Sequence, residues 1–211
     1  MKLILPPKGT LKPNDEHDPL PYYYHPAVGW LFRHRLRMAL GLLPTSGRRI
    51  LEVGVGSGVL IPTLSSCFAE YHGSDLVLAD GLDRLIAPSC QAELLRADLL
   101  DEKSLAAESY DVIVCLSVLE HIANADGAAK ALARALVKGG TLVTGYPMVN
   151  GLMTKLFHMI GFGTIESHHV TAPSTIHAAL RRVLRPVRRK ALPPFASVSL
   201  SLYQCTAWLK D

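Results

Sequence analysis

The chain has few of the features that mark disulfide-bonded, zinc-binding or membrane-spanning proteins. Its 211 residues include only four cysteines, and no two of them form a CxxC pair. We therefore expect free thiols in a reducing compartment, with neither disulfide bonds nor zinc. No segment reaches the unbroken apolar length of a membrane span, and the apolar stretch before Pro6 is too short for a signal peptide. These absences predict a cytoplasmic protein.

Acidic side chains are scarce at both ends of the chain. Residues 1–51 contain 8 basic and 3 acidic groups, residues 167–211 contain 7 and 1, and the residues between them contain 7 and 14. Basic flanks near a substrate entrance would favour an anionic substrate, or a peripheral contact with an anionic membrane surface. The same charges also suit ordinary solvated helix faces, so the pattern alone selects neither interpretation.

What the chain does contain is an alternation of short apolar runs and helical stretches. Residues 1–44 are predicted to form a proline-rich arm and a lid helix, and residues 45–211 one main domain. The predicted strands are 49–53, 69–75, 91–97, 110–117 and 140–146, and the predicted helices are 57–67, 101–107, 124–137 and two that begin near Pro26 and Pro173. This order predicts an α/β fold with a doubly wound, Rossmann-like, mostly parallel sheet. The alternating residues 190–210 predict an antiparallel edge strand or hairpin.

The segment LEVGVGSG, residues 51–58, places a carboxylate and three glycines directly after the first predicted strand. Doubly wound folds hold nucleotide-like cofactors at this position. A dinucleotide-binding turn reads GxGxxG and lies against a pyrophosphate. Here the third glycine comes one residue earlier, and Glu52 would repel a pyrophosphate. S-adenosylmethionine, which carries an ammonium and a sulfonium group and no phosphate, would suit this turn better.

LEVGVGSG resembles motif I of the class I S-adenosylmethionine-dependent methyltransferases. Four further segments are similar to later motifs, in the family's order: YHGSDL, LLRADLLD, YDVIVCLSVLEHI and LARALVKGGTLVTGYP. The resemblance covers about residues 48–147 and, more weakly, 165–185. It implies S-adenosylmethionine as the cofactor and S-adenosylhomocysteine as the product. The positions that it assigns to cofactor binding are Glu52, Gly54, Gly56, Ser57, Gly58, Asp75, Leu76, Asp98, Leu99, Cys115, Leu116 and Ser117.

The resemblance gives two aspartates a specific role. Asp75, 21 residues after Gly54, matches the acidic residue that accepts hydrogen bonds from both ribose hydroxyls. Asp98 matches the side chain that the family places against the adenine amino group. Each of them would otherwise be an ordinary turn or helix-cap aspartate.

Histidine is the natural base for a hydroxyl acceptor, because its pKa lies near neutrality. His121 follows the fourth predicted strand in LEHI, where some relatives use a base, although Glu120 and His121 would also suit a helix cap. His169, in a polar loop beside His168, is a second candidate or a plain surface turn. The quinone-pathway O-methyltransferases that LEHI resembles bind a divalent metal and carry another carboxylate three residues before the glutamate. This chain has Ser117 there, so we predict no metal.

The N-terminal segment of similar enzymes folds over the cofactor as a lid. The resemblance therefore implies substrate or lid contacts for Tyr24, His25 and Arg33. The aromatic residues of this segment would equally suit core packing.

The sequence predicts a methyltransferase for a small or medium-sized acceptor, at an oxygen of an anionic, glycan or lipid-like substrate. The basic run RRVLRPVRRK, residues 181–190, suits an anionic membrane or a phosphate-bearing substrate. Nucleic acid is the least favoured partner, because the basic run has no interleaved aromatic residues. Two alternatives stay open: a nicotinamide-dependent oxidoreductase, and a non-catalytic partner subunit with a methyltransferase-like fold.

Overall fold

The computed structural model describes residues 1–14, 18–45, 47–101, 103–148, 170–194 and 201–211. Its strands are β1 (Arg49–Val53), β2 (Glu70–Asp75), β3 (Gln91–Arg96), β4 (Tyr110–Leu116), β5 (Leu136–Pro147), β6 (Arg185–Leu192) and β7 (Tyr203–Leu209). Its helices are α1 (Leu20–Tyr23), α2 (Gly29–Leu40), α3 (Ile61–Ser65), α4 (Ala125–Ala135) and α5 (Pro173–Arg181), with short 3₁₀ turns at Leu82–Leu85 and Leu119–His121.

The seven strands form one sheet in the order β3-β2-β1-β4-β5-β7-β6. β1 to β5 are parallel, and β7 runs antiparallel to both β5 and β6. The prediction of a Rossmann-like, mostly parallel sheet with an antiparallel C-terminal edge is confirmed. The order reverses at β1, which lies between β2 and β4, so the crevice of the fold opens above the carboxyl end of β1.

The central strands are buried on both faces, as a parallel sheet requires. Ile50 and Val112 face a core that includes residues of α2 and α3, whereas their neighbours Leu51 and Ile113 face one that includes residues of α4 and α5. All four side chains are fully buried. This alternation fixes the register, because a slip of one residue would exchange the two faces.

The predicted helices match the structure less closely than the predicted strands. α2 begins at Gly29 instead of near Pro26, and α3 is much shorter than the predicted helix 57–67. The described residues of the predicted helix 101–107 form turns. There the Asp98 carboxylate accepts from the backbone N–H of Leu100, and Asp101 accepts from that of Lys103. Such local bonds compete with a helix for the same backbone groups.

The basic run continues beyond α5 as strand β6, at the edge of the sheet. Pro186 and the charged residues around it suit an edge strand, where a missing N–H is tolerated and charge discourages pairing with another chain. In the part of the chain that the structure describes, no helix is long and apolar enough to cross a membrane.

Candidate active site

The turn after β1 is held open by glycines in the left-handed backbone region. Gly54, Gly56 and Gly58 have φ values of 81°, 54° and 82°. A Cβ on Gly54 would overlap the Val118 side chain, and one on Gly58 would lie 2.6 Å from Leu82. A Cβ on Gly56 would meet nothing nearer than an Asp18 oxygen, at 3.9 Å. Packing therefore requires glycine at positions 54 and 58. The backbone at Gly56 has free space beside it, so a ligand could approach it closely.

Three carboxylates surround this turn. Asp75, at the end of β2, accepts a hydrogen bond from the backbone N–H of Gly56 at 2.8 Å. Asp18, on the N-terminal arm, accepts one from the Ser57 hydroxyl at 3.3 Å. Glu52 lies in β1 immediately before the turn and is 5% exposed. The carboxylates of Asp75 and Asp18 therefore place negative charge at the turn, which would repel phosphates and attract a cation, and Glu52 adds to this charge when it is ionised.

Glu52 has a partner that lies too far away in sequence to be found from the local pattern. The Tyr71 hydroxyl donates to Glu52 Oε2 at 2.6 Å, in the space that the absent side chain of Gly73 leaves free. Burial raises the pKa of Glu52 to about 8, with a smaller rise from Asp75, while the bond from Tyr71 acts in the opposite direction. A nearby cation would lower this pKa again.

Exposed apolar side chains lie at the carboxyl ends of β2 and β3. Leu76, Val77 and Leu100 are 62%, 50% and 41% exposed, whereas Leu99 is buried. Asp98 follows β3 and has one oxygen engaged in the turn to Leu100. Apolar surface beside carboxylates at this edge suits a purine ring and its ribose.

The residues after β4 adopt a strained backbone. Ser117 has a φ of 56°, in the region that non-glycine residues rarely occupy. Its N–H donates to the Gly145 carbonyl at 2.7 Å, and its hydroxyl lies 3.0 Å from the Tyr203 hydroxyl. Leu116 is half-buried, and the Cys115 side chain is fully buried, so Cys115 offers only its backbone to a ligand.

In the next turn, Leu119–His121, the side chains of Glu120 and His121 differ in exposure. His121 is exposed, while Glu120 is 2% exposed and neither of its carboxylate oxygens has a hydrogen-bond partner among the described residues. Burial raises the pKa of Glu120 to about 7, while the backbone N–H of Glu120 itself and, to a smaller extent, the Arg35 guanidinium oppose that rise. The buried ionisable group of this turn is therefore Glu120, while His121 stays a candidate base at the surface.

Arg35 lies among aromatic rings between α2 and β7. It donates to the Tyr23 hydroxyl at 2.7 Å, and its Cζ lies 4.7 Å from the ring centroid of Phe32 and 5.5 Å from that of Tyr203. The sequence does not indicate these contacts of Arg35 or the bond of Asp18, because most of the partners lie on other elements. The only local signal was the spacing of Phe32 and Arg35 on one face of a helix.

The predicted lid residues hold the N-terminal segment together. The Tyr24 hydroxyl donates to the Pro6 carbonyl at 2.6 Å, and Arg33 donates to the Tyr23 carbonyl at 2.5 Å. The ring of His25 accepts from the backbone N–H of Ala27 at 3.2 Å, just before α2. None of these three contacts reaches the glycine turn.

Two predictions concern a second base and a metal. His169, like its neighbour His168, lies outside the described residues. Among the residues that the structure covers, no group of three His, Cys, Asp or Glu side chains is arranged to hold a metal ion.

The fold and the glycine turn define a class of cofactor-binding α/β proteins, and comparison with known proteins identifies the family. Residues 30–185 match a family described as a methyltransferase domain. The chain belongs to this family, and the predicted relation to class I S-adenosylmethionine-dependent methyltransferases is confirmed. The family supports S-adenosylmethionine as the cofactor.

Curated relatives include O-methyltransferases. The chain is 29% identical, over 154 residues, to a ubiquinone biosynthesis O-methyltransferase of Burkholderia vietnamiensis, a match that covers 71% of this chain and 62% of that protein. It is 34% identical over 112 residues to the protein of the same name from Paracidovorax citrulli, covering 50% and 46%. The chain thus spans less than two thirds of the length of these relatives.

Solved structures of methyltransferases share the fold. The N-methyltransferase NodS from Bradyrhizobium japonicum, in complex with S-adenosyl-L-homocysteine, matches with a TM-score of 0.63 and 18% identity, and 93% of each chain is covered. A geranyl diphosphate methyltransferase in complex with GPP and sinefungin matches with a TM-score of 0.65 and 15% identity, covering 85% of this chain and 79% of that one. At such identities the likeness establishes the fold alone.

Proposed function

We propose that this protein binds S-adenosylmethionine and transfers a methyl group to an oxygen of a small or medium-sized acceptor. The observation that carries the proposal is the group of carboxylates Glu52, Asp75 and Asp18 at a glycine turn in which Gly56 leaves space for a ligand. A dinucleotide would bring its pyrophosphate against this negative charge. A ligand with an ammonium and a sulfonium group would be attracted to it.

The residues at this edge fit the parts of such a ligand. The bare backbone of Gly56 allows close approach, and Asp75 holds the ribose hydroxyls once one of its oxygens leaves the Gly56 N–H. Leu76, Val77 and Leu100 provide apolar surface for the adenine ring, and Asp98 contacts its amino group. S-adenosylmethionine supplies an activated methyl group. The chain therefore has chiefly to hold the acceptor oxygen in line with that methyl group and to exclude water.

The choice of oxygen is supported by the curated relatives, which are named O-methyltransferases. An anionic, glycan or lipid-like acceptor is supported by charge. Arg185, Arg188 and Arg189 are exposed on the edge strand β6, where they would attract an anionic acceptor or an anionic membrane surface.

Co-sedimentation with phosphatidylserine vesicles at low salt tests the membrane contact. We expect the protein to co-sediment, and the double variant Arg188→Gln/Arg189→Gln to lose this binding. Equal binding to phosphatidylcholine vesicles would contradict it.

Calorimetric titration tests the cofactor. We expect saturable binding of S-adenosylmethionine and S-adenosylhomocysteine below about 1 mM, within the usual range for enzyme ligands, and no binding of NADH. Binding of NADH without S-adenosylhomocysteine would indicate an oxidoreductase instead. Cofactor binding without methylation of phenol, glycan or lipid acceptors would indicate a non-catalytic partner subunit.

A further inference from the structure

The buried pair of Glu52 and Tyr71 is the part of the glycine turn whose role the proposed function leaves open. Glu52 is 5% exposed and Tyr71 is fully buried, and the Tyr71 hydroxyl donates to Glu52 Oε2 at 2.6 Å. The other carboxylate oxygen, Oε1, accepts no hydrogen bond within the described ranges. Buried carboxylates are usually paired with a cation or with several donors. Glu52 has one donor and no cation, so the pair needs an explanation.

Strand β2 provides the space for this hydroxyl. Glu52 pairs with Gly73 in the parallel register, and Tyr71 lies two residues before Gly73, on the same face of the sheet. A Cβ on Gly73 would lie 2.8 Å from the Tyr71 hydroxyl oxygen and 2.8 Å from Val55 Cγ2. Gly73 lies outside the left-handed backbone region, so packing calls for glycine here and backbone conformation does not. A larger residue would displace the hydroxyl from the carboxylate.

Tyr71 is the group that favours the ionised form of Glu52. Burial and the Asp75 charge raise the pKa of Glu52 to about 8, and the bond from Tyr71 opposes them. Asp18, on the N-terminal arm, brings a further carboxylate to the same turn. Burial, the charge of Glu52 and, more weakly, the Cys90 thiol raise the pKa of Tyr71 well above its usual value. Tyr71 therefore stays a hydrogen-bond donor at every pH near neutrality.

The ligand can supply the cation that this pair lacks. A nearby positive charge lowers the pKa of a carboxylate. The methionine part of S-adenosylmethionine carries an ammonium group, and the sulfonium beside it adds a second positive charge. When such a ligand binds, Glu52 releases its proton to solvent and its carboxylate faces the cation. The bond from Tyr71 makes this ionisation easier, because a hydrogen bond to a charged acceptor is stronger than one to a neutral acceptor.

We propose that Tyr71 is a positioning residue for the cofactor, whose hydroxyl holds the ionised Glu52 carboxylate in place for the positively charged methionine part. The proposal rests on the proposed function. Tyr71 is fully buried, so it acts through Glu52 and does not touch the ligand itself. It thereby extends cofactor binding to lower pH, and it does so only for ligands that carry the positive charge.

Tyr71→Phe tests the bond, because it removes the hydroxyl and keeps the ring. The pKa of Glu52 should then rise further. Calorimetric titration with S-adenosylmethionine at pH 7 is expected to show about tenfold weaker binding than in the wild type, the lower limit for a lost hydrogen bond to a charged group. At pH 8.5 the difference should shrink to about threefold, because Glu52 ionises more readily there. The ratio is the readout, since the ligand's own titration affects both proteins equally.

Three controls distinguish this role from a structural one. Tyr110→Phe is the matched variant, because the buried Tyr110 hydroxyl lies 3.1 Å from His72 Nδ1 at the amino end of β4. It should leave the affinity within about twofold of the wild type at both pH values. 5′-Methylthioadenosine lacks the charged methionine part, so Tyr71→Phe should bind it as the wild type does. In a Glu52→Gln background, Tyr71→Phe should give a ratio that does not change with pH.

A second variant covers the case that Tyr71→Phe does not fold. Replacement of Tyr71 by 3-fluorotyrosine keeps the shape and makes the hydroxyl more acidic, and therefore a stronger donor. This protein is expected to bind S-adenosylmethionine more tightly than the wild type at pH 7, with a smaller gain at pH 8.5. Weaker or unchanged binding would contradict the proposal.

Other results would also overturn it. Equal weakening by Tyr71→Phe at both pH values, or an equal weakening for 5′-methylthioadenosine, would indicate a distorted turn instead. Unchanged S-adenosylmethionine binding by Tyr71→Phe would show that the bond has no role, and would leave the cofactor assignment intact. Failure of the proposed function is distinguishable, because the wild-type protein would then bind neither S-adenosylmethionine nor S-adenosylhomocysteine.

Discussion

Gly56 differs from the other two glycines of the turn in what surrounds it. Its φ of 54° strains any other residue, yet a Cβ there would contact only the Asp18 carboxylate at van der Waals distance. Gly139, with a φ of 77° and nothing within 4 Å of a Cβ, has the same strain far from the crevice. Substitution of each glycine by alanine therefore distinguishes the cost of backbone strain, which both positions share, from the loss of space for a ligand, which is expected at Gly56 alone.

Gly56→Ala and Gly139→Ala are each expected to lose roughly 1–2 kcal/mol of unfolding free energy, the cost of a left-handed L-residue. Only Gly56→Ala should also weaken S-adenosylhomocysteine binding, by about tenfold or more, because its methyl group enters the space of the ligand. Urea unfolding and calorimetry measure the two effects. Equal affinities for the two variants would show that Gly56 does not face the cofactor.

At the scale of single residues, the sequence identifies those site residues that are adjacent in the chain or that end a predicted strand. Glu52 and the glycines were recognised because they are consecutive, and Asp75 because it ends the next strand. Tyr71 and Asp18 were missed, because each acts through a partner that lies on another element, and the contacts of Arg35 with the rings of α1 and β7 were missed for the same reason. Glu120 was named only as a possible cap, since no local pattern shows which of two adjacent side chains turns inward.

α2 is the element that connects the N-terminal segment to the sheet. Arg35 on its buried side lies against rings of α1, α2 and β7, and it also donates to the Tyr23 hydroxyl. A lysine ammonium is a compact charge that cannot stack on several rings and form this bond at the same time. The planar guanidinium therefore joins three elements.

Arg35→Lys is expected to lower the free energy of unfolding by about 1–2 kcal/mol, from lost cation–π contacts and one hydrogen bond. Arg37→Lys, an exposed position on the same helix, should stay within about 0.5 kcal/mol of the wild type. Urea unfolding compares them. A similar, small effect for both would show that Arg35 does not hold α2 in place.

Strands were easier to predict than helices, for a physical reason. β1 matches its predicted range and β2, β3 and β4 differ by one residue, whereas β5 begins four residues before its predicted start. β1 and β4 are buried apolar runs bounded by turns, which makes their limits visible in the sequence. The shorter α3 follows three left-handed glycines and contains Pro62, and side-chain bonds of Asp98 and Asp101 replace the helix predicted at 101–107. The end of α5 and the start of β6 depend on pairing with β7, which no local pattern records.

At the scale of the whole molecule, two buried carboxylates make stability depend on pH. Burial raises the pKa of Glu52 to about 8 and that of Glu120 to about 7, above the value of about 4.3 expected in the unfolded chain. The folded protein therefore binds more protons than the unfolded chain between these values, and stability falls as pH rises through that window. Burial lowers the pKa of His72 and His177 below 6.5, so their opposite effect lies at lower pH.

In the absence of ligand, the free energy of unfolding is expected to fall on the order of 1 kcal/mol per pH unit between about pH 7 and 8, and to level off above the Glu52 pKa. Glu52→Gln should remove most of this slope, and Glu108→Gln, at an exposed carboxylate 3.4 Å from Lys210, should retain it. S-adenosylmethionine favours ionised Glu52, so its affinity should rise over the same window, and more steeply than that of the uncharged thioether product. Urea unfolding and calorimetry at three pH values measure both. A slope that survives in Glu52→Gln would mean that Glu52 is already ionised and paired in the free protein.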